Sequence, residues 1–84
     1  MTEKYAVIDL GSNSFRLEIA HFDGRRLVSD RYVKETVRLA AGFDSSGCLT
    51  EETENRALAS LARFGDLIRG IPQNRIRAVG TQAL

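Results

Sequence analysis

The chain has 84 residues, 43% hydrophobic and 27% charged, with a net charge of +1 and one cysteine, Cys48. A single domain of this size buries only about 60% of its extended surface, and near-balanced charge gives no electrostatic footprint for nucleic acid or a membrane surface. One cysteine excludes an internal disulfide and a multi-cysteine metal site, and no apolar run approaches the roughly 18 residues of a membrane span.

Met1-Thr2-Glu3-Lys4 lacks the basic-then-apolar shape of a signal peptide, so a cytoplasmic protein is the expectation. Residues 5–10 follow, apolar on both alternating sets, which predicts a strand buried on both faces. Its last polar residue is Asp9. A carboxylate there needs a cation, a donor or water, and a turn-capping role answers that need as well as a ligand role does. Gly11-Ser12-Asn13-Ser14 supplies a small polar turn. The next strand puts Phe15, Leu17 and Ile19 on one face and Arg16, Glu18 and Ala20 on the other.

Asp23-Gly24 signals a hairpin. The partner strand, about 26–37, has impure alternation and reads as an exposed edge. Arg38 to Gly42 reads as a short helical turn, and 43–47 as a loop. A helix is predicted from Thr50, its N-cap, to about Arg69, with Glu51 and Glu52 at its positive end. The capping box is incomplete because Thr53 holds the third position. Ala57, Leu61, Phe64 and Ile68 form the expected buried face, with Leu58 beside it and Gly65 allowing close packing. Arg56, Arg63 and Arg69 read, with the helix acids, as its wet face. Gly70 and Pro72 end the helix.

Residues 75–79 form a fourth strand that ends at Gly80-Thr81. The order β-β-β-α-β predicts a right-handed crossover, with strand four parallel to strand one. Gly80-Thr81 then lies at the same sheet edge as Gly11-Ser12, where open α/β sheets bind ligands. One helix covers one face only, so the two-faced apolar pattern of residues 5–10 calls for a second layer that these residues cannot supply. The 84 residues are therefore expected to be the first part of a longer protein.

The backbone donors of Gly11 to Ser14 can form an anion nest, supplemented by the hydroxyls of Ser12 and Ser14 and the amide of Asn13. Asp9 beside them would repel a bare phosphate but can hold hydrated Mg²⁺ or orient a water. That pairing suits metal-assisted phosphoryl chemistry. The turn is neither a P-loop nor a GxGxxG motif.

Asp9-Leu10-Gly11-Ser12-Asn13-Ser14-Phe15-Arg16-Leu17 resembles the first phosphate loop of the exopolyphosphatase/guanosine-pentaphosphate phosphohydrolase (Ppx/GppA) family, a branch of the actin-like ATPase superfamily. Three further stretches resemble family positions in the right order: 34–42, 47–52 and 78–84. The resemblance implies an α/β, ribonuclease H-like subdomain spanning residues 1–84. It implies Mg²⁺-assisted hydrolysis of the terminal phosphate of polyphosphate or the 5′-phosphate of pppGpp, and a homodimer. By position, Asp9 falls on the metal and water side. Gly11, Ser12, Asn13 and Ser14 fall on phosphate, Arg38 pairs with phosphate oxygens, and Gly80 and Thr81 line the cleft. The family's catalytic glutamate and second phosphate loop fall beyond residue 84, so these residues alone are expected to be inactive. The alternatives are an ATP-dependent kinase or ATPase of the same superfamily, or an interaction domain that keeps only the fold.

His21, near the hairpin, reads as a hydrogen-bonded surface residue. Cys48 has no histidine nearby and no sign of nucleophilic duty. Arg25-Arg26 is too short a basic patch for nucleic acid.

Overall fold

Two tight turns and one helical crossover organise the chain. The structure, a computed structural model, describes residues 3–80. It comprises β1 (Lys4–Leu10), β2 (Ser14–Asp23), β3 (Arg26–Thr36), a 3-10 turn at Leu39–Ala41, α1 (Glu51–Leu67), a second 3-10 turn at Gln73–Arg75 and β4 (Ile76–Gly80). The element order is the expected one. The sheet order is β3-β2-β1-β4, with β1–β2 and β2–β3 antiparallel and β1–β4 parallel. A two-residue turn at Gly24-Arg25 joins β2 and β3, with Asp23 and Arg26 paired across it.

Alternation decides which face is buried. Ala6 on β1, with Phe15, Leu17 and Ile19 on β2, points to the side that α1 covers, where Phe64 and Val37 complete the core. Leu17 and Phe64 are wholly buried. At roughly 25 cal/mol per Å² of apolar surface, such side chains each contribute about 1.5–3 kcal/mol.

The opposite face is left open, as expected of a two-faced apolar strand whose second covering layer these residues cannot supply. Val7 is 48% exposed, and Phe22, Leu27, Tyr32 and Val79 are also exposed. Register places all five on the face away from α1. The apolar pattern of β1 is real, but among the described residues no element packs on its second face.

Helix α1 begins as predicted. The hydroxyl oxygen of Thr50 accepts from the Thr53 N–H at 3.2 Å, and three glutamates occupy the first turn. Of the predicted buried face, Phe64 is in the core and Ala57 and Ile68 pack against it. Leu61 and the neighbouring Leu58 are exposed, and Thr53 and Ser60 face inward in their place. Periodicity alone ranked the leucines above Thr53 and Ser60. Thr53 is buried against Gly42, in the loop that precedes the helix. Gly65 is exposed with open space around it, so it marks no close contact. The helix ends at Leu67, and the turn through Gly70 follows.

Two arginines read as solvated tether the helix to β3 and its end. Arg63 grips Glu35, its Nε donating to Oε1 and Oε2 at 3.1 and 2.9 Å. Arg56 reaches the carbonyl of Val37. Arg69 bonds only Asp66, three residues earlier on the same surface. At the far end of the hairpin a register shift between Ile19 and Ala20 leaves Asp30 unpaired. Asp30 is bonded by His21 Nδ1 at 2.7 Å and Lys4 Nζ at 3.4 Å. His21 therefore plays the surface hydrogen-bonding part expected of it.

The Arg63 hydrogen bond holds the Glu35 carboxyl below the usual glutamate range, against a smaller opposing effect of burial. A depressed folded-state pKa contributes stability above the unfolded value and loses it as pH falls through the folded value. The stability advantage of the native sequence over Glu35→Gln is therefore greatest near neutral pH and shrinks below about pH 4.3. Denaturant titrations of both proteins on either side of that value test this, and a pH-independent difference contradicts it.

Candidate functional site

The turn from β1 to β2 is closed from within. The Gly11 N–H donates to the Ser14 carbonyl at 3.0 Å. A Cβ on residue 11 would stand 2.8 Å from that oxygen, so the turn needs glycine there. Leu10 then pairs with Phe15, and the next pair outward is Asp9 with Arg16.

Two loop carbonyls face the segment after β3. The Asn13 oxygen accepts from the N–H groups of both Val37 and Arg38, each at 2.8 Å. The Ser12 oxygen accepts from the Ala40 N–H at 2.9 Å. In a trans peptide the N–H points opposite to its C=O. The Asn13 and Ser14 N–H groups therefore turn to the other side of the loop. None of the loop and cap bonds among the described residues uses the N–H of Asn13 or Ser14. Asn13 is exposed, Ser12 half-buried and Ser14 buried. The Asn13 and Ser14 peptide donors, with the side chains of Ser12 and Asn13, thus face the side a ligand can approach, while the Gly11 N–H and the Ser14 carbonyl close the turn.

Among the described residues Arg38 is the one non-glycine residue with positive φ, at φ 58° and ψ 50°. The left-handed region costs such a residue about 1–2 kcal/mol. The strain is held by bonds on both sides of the residue. Its N–H goes to Asn13, and its carbonyl accepts from the Ala41 N–H at 3.2 Å, opening the 3-10 turn. Its side chain is exposed and makes no ion pair among the described residues.

The segment is anchored next at Gly42. Its carbonyl accepts from the Thr50 N–H at 2.8 Å, and a Cβ there would lie 2.7 Å from the Thr53 Cβ. Only glycine lets the end of the 3-10 turn approach the helix start this closely.

Asp9 lies on the open face, its Oδ2 3.5 Å from Arg16 Nη1, and Lys34 stands opposite Arg16 on β3. Sequence reading missed Arg16 as a site neighbour. The signal was present, since Asp9 and Arg16 flank the four-residue turn symmetrically. Gly80 pairs with Leu10 in the parallel register, which brings the end of β4 to the loop. Thr81 lies outside the described residues. Among those residues no three His, Cys, Asp or Glu side chains cluster as a metal site. Asp9 is a single carboxylate, which fits Mg²⁺ held largely by water and substrate oxygens.

A family model for Ppx/GppA phosphatases matches residues 7–84. The chain belongs to the Ppx/GppA phosphatase family. It is 44% identical over 81 residues to a guanosine-5′-triphosphate,3′-diphosphate pyrophosphatase of Vibrio atlanticus, covering 95% of this chain and 16% of that protein. The homologue in Aliivibrio fischeri is 37% identical, covering all of this chain and 17% of that protein. The fold superposes on the Aquifex aeolicus family member with a TM-score of 0.86 at 27% identity, over 99% of this chain and 27% of that one. An exopolyphosphatase from Cytophaga hutchinsonii gives a TM-score of 0.82 at 31% identity, over 96% and 26%. The chain thus spans about one sixth of the length of its curated relatives. Membership associates it with phosphate hydrolysis, and the mixed sheet is that of the Ppx/GppA structures.

Arg38→Gly relieves the left-handed strain but adds unfolded-state freedom. The free energy of unfolding is then expected to hold or rise by up to about 1 kcal/mol. Arg38→Val, β-branched in the same conformation, is expected to lose at least about 1 kcal/mol. Denaturant unfolding of the two variants tests this; a glycine variant less stable than the valine variant contradicts it.

Proposed function

We propose that the protein carrying this chain is a Mg²⁺-assisted phosphohydrolase. It would release the terminal phosphate of inorganic polyphosphate or the 5′-phosphate of pppGpp. The observation that carries this reading is the loop itself: outward peptide N–H groups at Asn13 and Ser14, near the Asp9 carboxylate and an Arg38 that makes no ion pair among the described residues. The names of the relatives make pppGpp and polyphosphate the substrates to try.

In this reading the N–H groups of Asn13 and Ser14 and the side chains of Ser12 and Asn13 donate to non-bridging phosphate oxygens. The Arg38 guanidinium forms a two-pronged contact with the same group. Asp9 would hold Mg²⁺, which when bound would supply charge neutralisation at the transferred phosphoryl group. Arg16 balances the Asp9 carboxylate when the ion is absent. Gly80, opposite Leu10, would line the cleft across from the loop; the expected Thr81 contact lies outside the described residues. Gly11 and Ser14 set the turn geometry. None of the residues named here is assigned as the base that activates the attacking water; their roles are to bind and orient. The 84 residues are, on this reading, the opening part of a ribonuclease H-like domain.

Phosphate release from polyphosphate, pppGpp and ATP by the protein from the complete reading frame tests the proposal. Release from one of the first two that stops on chelation, and falls roughly 10²-fold in Asp9→Asn, is expected. Release from ATP alone would favour the kinase or ATPase reading, and no release from any would favour a binding domain.

A further inference from the structure

We propose that Arg56 is a positioning residue for the phosphate-contacting turn at Arg38, a role that rests on the functional reading above. The turn poses a mechanical problem. Arg38 must stay left-handed to start the 3-10 turn, yet nothing about an arginine favours that conformation. Its preceding peptide therefore needs restraint from both ends. The N–H end of that peptide is fixed on the Asn13 carbonyl at 2.8 Å. The other end is the Val37 carbonyl, at the close of β3's edge.

Arg56 supplies the restraint at that end. Its Nε and Nη2 both donate to the Val37 oxygen, at 3.4 and 3.3 Å. The same Nη2 donates to Thr53 Oγ1 at 3.2 Å, and Nη1 donates to Glu52 Oε1 at 3.0 Å. The planar fork thus spans the first turns of α1 and the end of the strand. Thr53 is buried, is bonded by Thr50 Oγ1 at 2.8 Å, and closes on Gly42. The peptide between Val37 and Arg38 is therefore held by the loop on one side and by the helix N-terminus on the other. Arg56 contacts no phosphate in this arrangement. It fixes the direction in which Arg38 leaves the strand.

Arg63 provides the matched control. It also ties α1 to β3, through Glu35, but touches neither the Val37 carbonyl nor the loop. The experiment compares Arg56→Met and Arg63→Met in the complete protein. It reads hydrogen exchange at the Arg38 and Ala40 amides and the kinetics of phosphate release. Arg56→Met is expected to speed exchange at those amides about tenfold, and to raise KM about tenfold while kcat changes far less, the scale of one lost charge-assisted hydrogen bond. Arg63→Met should move neither, at comparable loss of overall stability. Equal effects from both variants, or an unchanged Arg38 amide in Arg56→Met, overturn the proposal. So does faster exchange with an unchanged KM. If the complete protein turns over no phosphoanhydride, the functional reading falls, and the positioning of substrate contact falls with it; the exchange comparison still decides whether Arg56 restrains the turn.

Discussion

The Asn13 carbonyl is the point on which the site depends. One oxygen accepts the N–H groups of Val37 and Arg38, joining the β1–β2 turn to the segment after β3. A single neutral backbone hydrogen bond contributes only about 1 kcal/mol net. Its importance lies in direction. By drawing the loop's carbonyls inward, the contact turns the N–H groups of the same peptides outward, where an anion can reach them. It also places Arg38 beside those donors and holds it in a conformation that its sequence does not favour. Removing the acceptor is not a substitution that any side chain can make, so the arrangement is maintained by what surrounds it: Gly11 within the turn, Gly42 and Thr53 behind the segment, and Arg56 across the strand end.

The rest of the fold gives this contact something rigid to stand on. Phe64, Leu17 and Val37 form the core beneath the end of β3. Val37 thus belongs to the core through its side chain and to the site through its backbone. The parallel pairing of β4 with β1 delivers Gly80 opposite Leu10. The ends of strands from both halves of the chain meet at one edge, which is where open α/β sheets gather ligand contacts. The face away from α1 carries Val7, Phe22, Leu27, Tyr32 and Val79 in the open. A hydrophobic β1 therefore serves its covered face first, through Ala6, Ile8 and Leu10.

Much of this was legible in the residues. Alternation in β2, the turn signals at Gly11 and Asp23-Gly24, the Thr50 cap and the stop at Gly70-Pro72 all translate local chemistry into local geometry, and the element order followed. What escaped was set by contacts distant in sequence. The buried face of α1 includes Thr53 and Ser60, small polar residues that hydropathy places outside. Arg56 and Arg63 look like solvated charges on a helical wheel. Only the position of β3's end and of Glu35 shows them to be tethers. Ser60 Oγ remains without a hydrogen-bond partner of good geometry, although the Glu35 carboxylate lies near it. In the site, the phosphate loop was legible as composition. The inward turn of its carbonyls and the left-handed Arg38 were not, because both arise from the meeting of residues 12–13 with 37–40.

The most direct measurement is amide hydrogen exchange of the complete protein with and without tripolyphosphate and Mg²⁺. If the outward peptides form the anion site, the ligand slows exchange most at Asn13 and Ser14, with little change at Gly11, whose N–H is already bonded within the turn. Saturable binding that leaves Asn13 and Ser14 unprotected would contradict it, because the phosphate would then be held elsewhere.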